Sequence, residues 1–148
     1  MNLDLLKIEN ILKYAVAFYV GTFIIVYFLK IPNLITGADN LIKEYYYDNF
    51  INSLLLDIVL IFIYLLIGTY IIKIKNMNDC SLFKKIIIIF SVSFIITFIF
   101  NIIFRNNPIN NTFFSRWFHT VGIKASIYDG IIVSTIYFIY IYLKKIIQ

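Results

Sequence analysis

Four long apolar stretches divide this 148-residue chain, at residues 11–29, 50–72, 86–104 and 121–143, with short polar segments between them. Each is rich in Ile, Leu, Phe and Tyr and carries few charges. A bilayer core of about 30 Å takes about 20 mostly apolar residues at about 1.5 Å rise each. Buried strands are also Ile-rich, but they run to only about 4–8 residues. An open sheet edge also has no partner for its backbone in lipid, whereas a helix satisfies its own. The pattern therefore predicts an all-α polytopic membrane protein. It has four transmembrane helices in a single domain over residues 1–148.

Composition supports this reading. Hydrophobic residues make up 61% of the chain and charged residues 14%, against about 45–50% and about 25% in soluble domains. The first ten residues mix both charge signs and no small-residue cleavage pattern follows the first span. That span is expected to stay as a signal-anchor. Four spans put both termini and the central loop on one side. Lys7, Lys13, Lys73, Lys75, Lys84, Lys85, Lys144 and Lys145 fall there, against Lys30, Lys43, Arg105, Arg116 and Lys124 opposite. The positive-inside rule then places both termini in the cytoplasm. The net charge of +5 reads as anchors flanking the spans, because no stretch forms the basic face that nucleic acid needs. Cys80 is the only cysteine, which excludes an intramolecular disulfide and a CxxC redox site.

The chain also reads as two tandem helical hairpins. Each is a span, a basic residue and proline (Lys30 to Pro32, Arg105 to Pro108), a loop, then an Asp opening the next span (Asp57, Asp129). Both prolines are expected as helix stops. Loops one and three are expected to hold short interfacial helices. In the first, Tyr45, Tyr46 and Tyr47 are candidate anchors at the headgroup level, and in the second Trp117 is.

Asp57 and Asp129 are the two acids inside the apolar runs. Such residues usually face the bundle interior and pair with something. They are the candidate intramembrane polar site, with Lys124 and Arg116 as possible basic partners. The stripe Ser93, Thr97 and Asn101, at spacings of four, is expected to pack against a neighbouring helix. Thr120-Val-Gly122 begins like a potassium filter, but Ile123-Lys124 follows where a second glycine is needed. His119 is the only histidine and has no Cys cluster near it, so no metal site is expected. Asn110-Asn-Thr112 matches a glycosylation sequon. No catalytic motif occurs, and neither enzymatic activity nor a cofactor is expected.

The segment Ser115 to Asp129, with Trp117, Val121-Gly122, Ala125 and Tyr128-Asp129, resembles small multi-pass membrane proteins of nucleocytoplasmic large DNA viruses. The resemblance covers the last third of the chain. It implies a component of a viral internal membrane, or of a host membrane altered by infection, with other membrane or capsid proteins or a second copy as partners. Two functional expectations remain open. One is a non-catalytic structural or assembly protein. The other is a small proton- or cation-coupled transporter or channel using Asp57 and Asp129. A polar cavity reaching both carboxyls from one face would favour transport, and a dry bundle with the two Asp hydrogen-bonded internally would favour structure.

Overall fold

The computed structural model describes residues 4–147. Seven helices make up the fold, apart from a short 3₁₀ turn at Asp4–Leu6, and no strand occurs among the described residues. Helix α1 (Ile8–Thr22) continues as a π-helical segment, Phe23–Phe28. Two short helices follow, α2 (Ile31–Thr36) and α3 (Asp39–Lys43), the latter running into a π-helical turn at Glu44–Asp48. Then come α4 (Phe50–Ile74), α5 (Leu82–Arg105), the short α6 (Phe113–Val121) and α7 (Ile123–Ile146). Four of these elements are long and apolar enough to cross a membrane: Ile8–Phe28, Phe50–Ile74, Leu82–Arg105 and Ile123–Ile146. The protein is an all-α integral membrane protein. The helices overrun the apolar stretches at their ends. Lys84 and Lys85, for example, lie in the first turn of α5, where backbone hydrogen bonding continues into the interface and the ammonium groups stay wet.

The axis of the bundle is α7. It packs most extensively against α5 and α1, while α4 rests chiefly on α5 and only lightly on α1. Tyr128, Ile132, Val133, Ile136 and Tyr137 on α7 are all buried. By contrast α4 and α5 turn most of their surface outward, as helices solvated by lipid do. The two hairpins thus share a plan but differ in packing, with α5 and α7 closely joined where α1 and α4 barely touch. Tyr14 bridges that gap by donating its hydroxyl to the Ile58 carbonyl at 2.5 Å. Both ends of the bundle's chain meet on one side: Lys13, 7% exposed, donates to the Ile147 carbonyl at 3.2 Å and pairs with Glu9. Its ammonium thereby sits at the negative end of the α7 dipole.

Pro32 is not the stop that the sequence suggested. Span one ends at Phe28, Lys30 takes the left-handed conformation (φ 50°) just before α2, and Pro32 lies in the first turn of α2. An early helical position suits proline because its missing N–H has no partner there anyway.

Between α6 and α7 stands Gly122, with φ 60° and ψ −136°. That conformation is essentially closed to residues bearing a Cβ. It makes an elbow, so α6 leaves the line of α7 and packs at the end of the bundle opposite the termini, its Phe118 ring stacked on Phe104 of α5 at 5.3 Å between centroids. The Thr120-Val-Gly122 motif is therefore an elbow, with Gly122 supplying the bend.

Candidate functional site

Asp57 lies seven residues into α4 and Asp129 six into α7, which puts each about 10 Å inside its span at about 1.5 Å per residue. Both therefore sit at one level, toward the end carrying loops one and three. Both are half-buried, and both line the same cavity of about 260 Å³. Its walls are mostly apolar and aromatic, with Phe100 and Phe104 from α5 and Phe113, Phe114 and Trp117 from α6. A second void of about 40 Å³ lies between α4 and α7, bounded by both carboxyls together with Tyr64, Ile61 and Ile132. A site of that size and polarity has room and partners for one water.

The basic partners expected for the carboxyls are not there. Lys124 is exposed on the first turn of α7. Five residues at about 100° each turn it roughly 140° away from Asp129, so the two cannot share a face. Arg116 points elsewhere and grips Glu44, its Nη1 donating to Oε2 at 2.8 Å. No Lys, Arg or His lines either cavity among the described residues. The partners are hydroxyls instead: Tyr45 donates to Asp57 Oδ1 at 2.7 Å and Thr97 to Asp129 Oδ2 at 2.6 Å. The Tyr46 and Tyr128 hydroxyls meet at 2.6 Å nearby. Burial and the neighbouring Asp57 push the Tyr45 phenol far above its usual range, so it stays protonated and donates.

Thr97 belongs to the stripe Ser93, Thr97 and Asn101, which is buried and joined to α7 through that hydrogen bond. Its spacing was legible, but nothing in the sequence pairs it with Asp129, thirty-two residues away. Tyr64 and Tyr128 were also missed, since tyrosines inside a span look like any other aromatic filler.

Of the four aromatic residues expected as anchors, most fold against the protein. Trp117 is 8% exposed and Tyr46 7%. Both line the cavity, and Tyr45 lines it too. Tyr47 alone of the four is exposed. The cause is the marked amphipathicity of α6, whose apolar face presses onto the bundle, and the π-helical turn at Glu44–Asp48, which tips Tyr45 and Tyr46 inward. Tyr45 stacks on Phe113 with ring centroids 4.5 Å apart, so the first loop and α6 together roof the cavity. The Glu44–Arg116 pair bolts these two parts together, and the Arg116 guanidinium holds the Glu44 carboxyl below its usual range.

The sequon is absorbed by the start of α6. Thr112 caps that helix, accepting from the Ser115 amide, and its own hydroxyl donates to Asn110. His119 meets the Asn107 carbonyl through Nε2 at 3.0 Å. No family model matches the chain, and no curated protein or solved structure is significantly similar to it.

Below the carboxyls the bundle closes. Leu65 on α4, Ile89 on α5 and Ile136 on α7 are fully buried. Gly68 lets α4 and α5 approach so closely that an added Cβ would stand 2.5 Å from Ile89 Cδ1. This apolar layer separates the carboxyls from a cleft at the terminal end that is lined by Lys73, Lys85 and Lys144.

Proposed function

We propose that the protein is a small membrane carrier that binds a cation, the proton included, at Asp57 and Asp129. One observation supports this above the rest: two intramembrane carboxyls open onto a single cavity with no basic side chain on its walls. Leaving such a pair unneutralised in a low-dielectric site is costly, and a bound proton or cation relieves it. The cavity reaches the carboxyls from one side, while the layer around Leu65, Ile89 and Ile136 seals the other. That is the form of one state of an alternating-access device. Movement is easiest for α4, which is held mainly by α5. By the positive-inside count, the termini face the cytoplasm and the cavity lies in the half of the bundle toward the opposite compartment, beneath the roof formed by Tyr45 and Phe113. The test is flux in liposomes loaded with a pH dye. Proton or cation movement that vanishes in the Asp57→Asn and Asp129→Asn variants supports the carrier, and equal flux in protein-free vesicles refutes it.

A second reading is a non-catalytic structural or assembly protein, in a viral internal membrane as the resemblance of residues 115–129 implies. It draws on the fact that each carboxyl already holds a hydroxyl donor from another element. On this reading the site is a clamp that sets helix register. The same variants would then lose thermal stability, and no flux would exist to lose.

A further inference from the structure

The exposed part of the aromatic cavity's lining lies on the flank of the bundle, at a level that four membrane spans place within lipid. On the water side the cavity is covered by Tyr45 stacked on Phe113 and bolted by Glu44 and Arg116. Its most exposed lining residues are Leu56 on α4, 38% exposed, and Phe100 on α5, 39% exposed. These lie six and five residues inside their helix ends, or about 8 Å within the span. The opposite wall is closed, with Tyr128 2% exposed and Phe118 5%. Helices α4 and α5 meet tightly at Gly68 and Ile89, so the gap between them lies only at the outer, cavity-bearing end.

We propose that the cavity binds a lipophilic organic monocation, entering from the bilayer between Leu56 and Phe100, with its ammonium centre against Asp57 and Asp129. This rests on the cation reading above and names its substrate class. Three features select that class. A hydrated metal ion cannot cross hydrocarbon to reach a lateral opening, whereas an amphiphilic cation already partitions there. Aromatic faces attract a weakly hydrated ammonium by cation–π interaction and bury its hydrocarbon. The volume of about 260 Å³ is also far larger than a bare ion requires. The groups facing the carboxyls are the hydroxyls of Tyr45, Tyr46, Tyr64, Thr97 and Tyr128. A proton on either Asp therefore competes directly with the ligand.

Trp117 is the only tryptophan and lines the cavity, so its fluorescence reports binding. Benzyltrimethylammonium is titrated into the full chain in lipid nanodiscs, beside its neutral isostere neopentylbenzene. Saturable quenching is expected with the cation, weakening as pH falls. It should weaken by at least about tenfold in the Asp57→Asn, Asp129→Asn double variant, with helical content and melting temperature near those of the parent. Leu56→Phe leaves both carboxyls intact, keeps Trp117 as the one tryptophan and narrows the opening, so it should slow association. Equal binding of the isostere, unchanged affinity in the double variant, or no saturable quenching would each overturn the proposal. Carboxyl-dependent proton flux without ammonium binding would remove this inference and leave the carrier. Ammonium binding without flux of any cation would keep the site and remove the carrier.

Discussion

Tyr45 donates its hydroxyl to Asp57 at 2.7 Å, and in doing so it ties the first loop to the second membrane span twelve residues on. The bond closes the roof of the cavity and supplies Asp57 with the donor that an intramembrane carboxyl lacks otherwise. Tyr45→Phe keeps the ring stack on Phe113 and deletes only the donor. A stability loss of about 1–3 kcal/mol is expected, read as a fall in melting temperature in detergent. Asp57→Asn should cost less than Asp57→Leu, because the amide still accepts from Tyr45. Equal melting for Asn and Leu would show that the hydrogen bond does not hold the loop.

Gly122 should tolerate no side chain. Space is not the obstacle, since the nearest atom to an added Cβ is Arg105 Nη1 at 3.6 Å. The backbone conformation is. Gly122→Ala is expected to cost of order 1–3 kcal/mol and to lift α6 off the cavity. Trp117 emission would shift to the red as its ring meets water. An unshifted spectrum at parental stability would contradict the elbow.

The Glu44–Arg116 pair carries a pH signature. Because Arg116 lowers the folded-state value of Glu44, the pair stabilises the roof above the ordinary carboxylate value of 4.5. That contribution disappears as pH falls through the depressed value. Both side chains are about one-third exposed, so the effect is small and screened by salt. Opening of the roof between neutral pH and pH 3, followed by amide exchange at residues 44–48, should be milder in Glu44→Gln, which has already lost the pair. The doubly reversed variant, Glu44→Arg with Arg116→Glu, should recover the parental profile.

Cys80 is a ready topology probe. It is the only cysteine and lies in the loop between α4 and α5, at the end where Lys13 meets Ile147. A membrane-impermeant maleimide should label Cys80 from the same side as a cysteine placed at Ile147 in a Cys80→Ser background. A cysteine at Ile109 in that background should label only from the other side. Labelling of all three positions from one side would refute the four-span arrangement.

The sequence by itself determined the architecture, for a physical reason. In a bilayer each span satisfies its own backbone and is solvated by lipid, so membrane insertion is largely a local property of run length and hydropathy. Residues 50–72 announce a span without reference to anything distant. The two Asp positions were legible for the same reason, as costly groups within apolar runs. Their partners were decided only by the tertiary structure. Lys124 is near Asp129 along the chain but on the wrong face of α7, while Thr97 is distant and aligned. Trp117 and Tyr46 have the composition of interfacial anchors, yet the Gly122 elbow and the turn at Glu44–Asp48 fold them inward over the carboxyls. Hydrophobic runs set which segments enter the membrane. Packing angles between those segments, which depend on a few glycines and on side chains many turns apart, set where the cavity lies and which hydroxyls face it.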